Sequence, residues 1–376
     1  MLQKSLVLIF AVASIASCVG CGQTQSNYVY ATVSAANQVF AYREDPNSGV
    51  LTELSGSPYP AGDGASSVVA HPSGKYLYVA NPGQLENDIS LFTIASNGVL
   101  TEKLPRTPVG VNASQPALLA MDPAGAFLYV ANTKSNNISV FSIDSGSGAL
   151  TQLVTSPTAV TAPPLNMKLA PSGDYLYVTT SGGQDGYIFA FSVNAGVLAP
   201  LTSPQNPVST SGINPNGLAI DPTGSYLYAA NTSSGSIAIF AIGATGTPAG
   251  SLSQIPGSPL AGNYLAPVSL SFDPKGSYLY VANQGSNNVA VYSISSTGLP
   301  SLFTGGTTNN GTTSTGAFFT EGNPSYLAVD PSGSYLYVGN QGGSTGIQAF
   351  TASGGILTDI YTYGVGNTPT SIAVVK

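Results

Sequence analysis

Short apolar runs broken by turn-forming clusters pattern the chain, and one run-turn-run unit recurs six times. It reads VVAHPSGKYLYVAN at 68–81, LAMDPAGAFLYVAN at 119–132, MKLAPSGDYLYVTT at 167–180, LAIDPTGSYLYAAN at 218–231, LSFDPKGSYLYVAN at 270–283 and LAVDPSGSYLYVGN at 327–340. The apolar head of each unit predicts a first strand. Asp-Pro-x-Gly predicts a turn in which the Asp side chain accepts from backbone N–H groups, Pro presets φ and Gly takes a positive φ. Tyr-Leu-Tyr-Val then predicts a returning second strand with period-2 alternation. Third strands follow, as in NNISVFSI (136–143) and SIAIFAI (236–242), and a fourth follows a glycine, as in GALTQL (148–153) and GVLAPL (196–201). Strands three and four occur seven times, at a spacing of about 50 residues that fits one four-stranded propeller blade.

The ends of this pattern set the blade count. It opens on a lone second strand, 28–32 (YVYAT), and closes on 369–375 (PTSIAVV), a first strand without its partner. Pairing the two completes a seventh blade and closes the ring. The expected fold is all-β, a seven-bladed β-propeller closed by its C-terminal strand on the N-terminal blade. Closure leaves only short outer edges, whereas an open repeat array would need atypical capping repeats.

Ahead of the repeat, Lys4 precedes an apolar run, SLVLIFAVASIAS (5–17), shorter than the ~20 residues a spanning helix requires. This is the layout of a cleaved secretory signal. The run ends at Ile15-Ala16-Ser17-Cys18, which resembles the lipobox of bacterial lipoproteins and implies lipidation of Cys18, with Cys21 as the alternative. The expected organisation is a signal at 1–17, a short tether at 18–27 and the propeller at 28–376, exported and held at the cell envelope by the lipid. With Val19 rather than Asp after Cys18, the segment resembles those sorted to the Gram-negative outer membrane. Cys18 and Cys21 are the chain's only cysteines, so no disulfide is expected in the folded domain.

Composition narrows the functional classes. Hydrophobic residues make up 43% and charged residues 7%, which argues against disorder. The net charge is −7 and the few Lys and Arg are scattered, which excludes the basic cluster that nucleic-acid binding needs. Neither a metal-ligand constellation nor a phosphate-cradling loop is legible, and no cofactor is expected. Membrane contact is expected only through the anchor, and a monomer is expected.

The Pro-x-Gly-x-Tyr-Leu-Tyr-Val-Ala-Asn unit resembles the YVTN-type repeat of the lactonase family of seven-bladed propellers, which includes 6-phosphogluconolactonase and carboxymuconate-cyclising enzymes. The resemblance covers roughly 28–376. It implies the fold and, for active members, a Pro-Arg-His motif leading into strand 1, with further Arg and Glu around the channel mouth. An anionic lactone needs cations to hold it, and ring opening benefits from an acid/base pair. Here the corresponding positions read Pro116-Ala117-Leu118, Pro164-Leu165-Asn166, Pro215-Asn216-Gly217, Pro267-Val268-Ser269, Pro324-Ser325-Tyr326 and Pro369-Thr370-Ser371, without Arg or His. The only histidine, His71, aligns with the turn aspartates Asp122, Asp221, Asp273 and Asp330 and is expected to substitute for them.

Two residues stand out as candidate catalytic groups. Lys168 replaces the Ala or Ser of other first strands and is expected either to point into the channel or to snorkel, and Glu321 precedes Asn323-Pro324 at the mouth. Arg43, Arg106, Lys75 and Lys275 fall away from the mouth. Second strands end on Asn81, Asn132, Asn231, Asn283 and Asn340, followed in two cases by Gln284 and Gln341. Either each Asn caps its own turn, or the amides form a neutral hydrogen-bonding ring for a sugar or peptide. The expected function is a non-enzymatic binding or interaction module for a small polar ligand or an envelope protein. The alternatives are a sugar-lactone hydrolase of the 6-phosphogluconolactonase type, whose substrate is cytoplasmic, and a structural surface component.

Overall fold

The computed structural model describes residues 26–83, 87–202, 206–243, 246–261, 265–304, 316–342 and 346–376. The signal segment 1–17, the cysteines Cys18 and Cys21, and the Gly-rich polar stretch 305–315 lie outside the described residues. Seven antiparallel sheets form the molecule. Six are contiguous in sequence, with first strands at Ser67–Ala70, Pro116–Met121, Pro164–Leu169, Pro215–Ile220, Pro267–Phe272 and Pro324–Val329. In the seventh, Ser371–Val375 is the first strand and Tyr28–Val33 the second, paired from Tyr28↔Val375 to Thr32↔Ser371. Each first strand packs on the next, 324–329 against 371–375 and 371–375 against 67–70, so the ring closes around an axis lined by first strands.

The turn chemistry is as the repeat requires. Asp221 Oδ1 accepts the Tyr226 N–H at 2.6 Å and Oδ2 the Thr223 N–H at 3.1 Å, while Gly224 takes φ +73°. In the blade that has histidine instead, His71 Nδ1 accepts the Ser73 N–H at 3.1 Å. Its Nε2 lies 3.0 Å from the Gly125 carbonyl in the next blade's turn. That arrangement protonates Nε2 and makes His71 a turn cap that also joins two blades.

The second strands differ from the alternating pattern expected of them. Tyr76–Asn81 and Tyr335–Asn340 are buried at every position. The physical reason is stacking: each sheet has a neighbouring blade on both faces, so no face of an inner strand meets water. Five of the blades also add a short fifth strand, such as Thr158–Ala159 on Asn137–Ile143, covering the part of strand 3 that strand 4 leaves unpaired.

In most blades the second Tyr of the repeat pins one blade to the next, although the buried Tyr129 hydroxyl has no partner among the described residues. Tyr30, Tyr78, Tyr177 and Tyr228 are fully buried and donate to the carbonyls of Gly98, Gly148, Gly250 and Gly298 at 2.7–2.8 Å. Burial pushes these phenols well above their ordinary pKa, so each stays protonated and can donate. At the closing seam the acceptor changes. Tyr337 donates to Glu44 Oε2 at 2.7 Å, and Asn27 Nδ2 donates to Glu44 Oε1 at 2.8 Å.

Candidate functional site

A first strand at the axis has a sheet neighbour on one edge only, so its other edge must find partners elsewhere. Side chains at one repeated position supply them. Ser67 Oγ accepts the Leu119 N–H at 3.1 Å, Ser269 Oγ the Leu327 N–H at 3.2 Å and Ser371 Oγ the Val68 N–H at 3.3 Å. Asn166, in the same column, donates Nδ2 to the Asn216 carbonyl at 2.7 Å. Many of the polar groups nearest the axis are therefore spent on stitching blade to blade.

Two residues further along, the column paired with the second Tyr holds Val69, Ala120, Lys168, Ala219, Ser271 and Ala328. Lys168 opens onto the axial channel. It lines a cavity of about 400 Å³ near the strand 1–2 turns, with Met121, Pro171 and Tyr326 on its walls. It also lines a narrower space of about 100 Å³ with Asn166, Ser271 and Tyr326. A third lobe of about 250 Å³ brings in Ile220 and Phe272 beside Lys168 and Ser271. Among the described residues, no hydrogen bond or ion pair engages the Lys168 ammonium, the Ser271 hydroxyl or the Tyr326 phenol. Lys168, Ser271 and Tyr326 thus line one space, and no Asp, Glu or His is among the residues lining the channel.

The other sequence candidates fall elsewhere. Glu321 is exposed in the loop before Pro324–Val329, where its N–H donates to Gln348 Oε1 at 3.1 Å, and it is not among the residues lining the cavities around Lys168. Asn81, Asn132, Asn231, Asn283 and Asn340 are 0–2% exposed and lie inside the blades, not on the channel. Their amides donate to side chains at the start of strand 3, as Asn132 Nδ2 does to Asn137 Oδ1 and Ser139 Oγ, both at 2.9 Å. Of the amide set only Gln284 and Gln341 reach the mouth, bonded to each other across two blades at 3.0 Å. Arg106 pairs with Glu102 at 2.8 Å on an outer strand. Tyr326 and Ser271 were not singled out from sequence. The available signal was a bulky Tyr in a column otherwise holding residues such as Ser67, Gly217 and Ser269.

Among the described residues no three His, Cys, Asp or Glu side chains gather as a metal site. No helix there is long and apolar enough to cross a membrane.

The family model described as "Lactonase, 7-bladed beta-propeller" matches residues 23–163 and 155–256. A 6-phosphogluconolactonase of Formosa agariphila is 42% identical over 83 residues, 22% of this chain and 23% of that protein. One from Bacillus subtilis is 27% identical over 144 residues, 37% of this chain and 39% of that protein. These matches therefore span well under half of the curated relatives' length. The solved periplasmic gluconolactonase of Pseudomonas aeruginosa superposes with a TM-score of 0.70 at 17% identity, covering 93% of this chain and 99% of that one, a likeness of fold. The expectation of a non-enzymatic binding or interaction module is overturned by the curated relatives, which are named as lactone-hydrolysing enzymes.

Proposed function

Because the chain belongs to the lactonase family of seven-bladed β-propellers, we propose that it hydrolyses a sugar lactone within the axial channel. The observation that carries this reading is the convergence of Lys168, Ser271 and Tyr326, with their donors free, on one cavity. Water adds to the lactone carbonyl carbon, the ring C–O ester bond breaks, and the ring oxygen takes a proton to become a hydroxyl. In the tetrahedral transition state the former carbonyl oxygen carries negative charge. An ammonium and two hydroxyls on rigid strands stabilise that charge without having to reorganise. A single such donor is worth about 10²–10³ in rate. Without a lining carboxylate or imidazole, the rate gain rests on this stabilisation, not on a protein general base.

The test is the opening of glucono-δ-lactone, followed by proton release against the uncatalysed rate. Full activity is expected from the purified chain and a 10²–10³-fold lower kcat/KM from Lys168→Met. A rate equal to buffer, or a Lys168→Met variant as active as the parent, overturns the reading. Export and anchoring through Cys18 or Cys21 belong to the same proposal and are supported by the sequence of the first 21 residues. Loss of lipid labelling in a Cys18→Ala chain identifies the first, and its persistence points to the second.

A further inference from the structure

We infer that Lys168 makes the axial channel a carboxylate site, so that the sugar acid released by ring opening is retained there and inhibits the protein. The inference rests on the lactonase reading for the identity of the acid, but the binding can be read without catalysis. A sugar lactone without a phosphate, such as glucono-δ-lactone, is uncharged. Once water has added and the ring ester has broken, the new carboxylic acid gives its proton to solvent at neutral pH and leaves an anion in the channel. The only cationic side chain among the described residues lining that channel is Lys168. Its ammonium has no protein counter-ion to displace among the described residues, so the product gains an ion pair that an uncharged lactone lacks. Tyr326 and Ser271 line the same space and supply neutral donors to the second carboxylate oxygen or to sugar hydroxyls.

Position strengthens the argument. Lys168 is common to all three lobes of the channel, including the wide one walled by Pro123 and Pro171 of the strand 1–2 turns. An anion reaching the axis from that face meets this ammonium. The amide pair Gln284–Gln341, joined by one hydrogen bond, lies at the opposite mouth. The carboxylate is thus expected deep in the channel, with the polyol chain pointing away from Lys168.

The test titrates the full chain with D-gluconate by calorimetry, with D-glucitol as a neutral control of the same length. Gluconate is expected to bind and glucitol to bind at least tenfold more weakly. Lys168→Met should weaken gluconate about ten- to a hundredfold, the range for a hydrogen bond to a charged group. Lys168→Arg, which keeps the charge, should bind within a few fold of the parent. Equal gluconate affinity in the parent and Lys168→Met, equal affinity for gluconate and glucitol, or no gluconate binding each overturns the inference. Unchanged thermal unfolding of Lys168→Met shows that the loss is not one of folding, and retention in Lys168→Arg checks the same point independently. The two readings separate cleanly. Lactone opening with Lys168-independent gluconate binding removes the carboxylate site alone. Lys168-dependent gluconate binding without lactone opening supports the site and removes the lactonase reading.

Discussion

Replacing Tyr337 with Phe should destabilise the propeller more than the same change at Tyr228, and the excess should depend on pH. Both phenols are fully buried and both donate across a blade seam at 2.7 Å. The acceptor of Tyr228 is the neutral Gly298 carbonyl, so its loss is worth about 0.5–1.5 kcal/mol net. The acceptor of Tyr337 is the Glu44 carboxylate, only 1% exposed, and a bond to a charged group is worth about 1.5–3 kcal/mol. Burial raises the pKa of Glu44 above the usual carboxylate value, and the nearby Asp330 and Asp45 push the same way, while the bonds from Tyr337 and Asn27 oppose them. A raised folded-state pKa means that the folded protein holds the proton more tightly. The stability due to Glu44 is therefore fully present below the ordinary carboxylate pKa and is lost as pH rises through the folded value, by about 1.4 kcal/mol per unit of elevation. Urea unfolding followed by circular dichroism at several pH values is the assay. The Tyr337→Phe and Tyr228→Phe variants should lose similar stability while Glu44 is protonated and diverge once it ionises. Glu44→Gln should flatten the pH dependence relative to the parent. A constant difference between the two Phe variants, or a Glu44→Gln profile parallel to the parent, would refute the assignment of Glu44 as an ionising clasp.

Two further outcomes follow from the repeat. Gly250→Ala should cost about 2–4 kcal/mol in the same unfolding assay, because φ is +75° there and the Tyr175 ring occupies the space of a β-carbon. A loss below about 1 kcal/mol would show that the Tyr175 ring yields easily. Asp221→Ala strips the acceptors from the Tyr226 and Thr223 N–H groups and should cost about 1–3 kcal/mol, with Asp221→Asn milder because it keeps one acceptor.

Fold and site were unequally legible in the sequence. Asp-Pro-x-Gly and Tyr-Leu-Tyr-Val specify a turn and a strand through local chemistry, and unmatched strands at 28–32 and 369–375 specify closure. Such features need no knowledge of neighbours. The placement of Asn132 or Asn340 does need it, since the end of a second strand can face the channel mouth or the adjoining blade. A clue was present: YLYVAN carries no polar residue before its Asn, the mark of a strand covered on both faces, so its last residue was already inside the stack. Tyr326 and Ser271 were harder still. Their proximity to Lys168 arises from three different blades meeting at the axis, a relation between positions about 50 or more residues apart that strand periodicity does not encode.

Departures from the repeat are the natural place to look for chemistry, because every blade spends its regular residues on the same scaffold. Three departures carry an ionisable group into a column that elsewhere holds another residue or acceptor, and their environments separate them. His71 replaces a turn aspartate and uses both ring nitrogens to hold turns together. Glu44 replaces a glycine carbonyl as the acceptor of a buried Tyr, and both its oxygens are engaged. Lys168 sits where other blades hold residues such as Ala120 or Ala219, and no described residue binds its ammonium. The scaffold accounts for the first two completely. It gives the third no structural task, and a cation facing a water-accessible channel need not shed its solvation to fold. On the proposed reading, Lys168 meets a ligand that carries or develops negative charge, since hydrolysis of a lactone supplies both an oxyanion in its transition state and a carboxylate in its product.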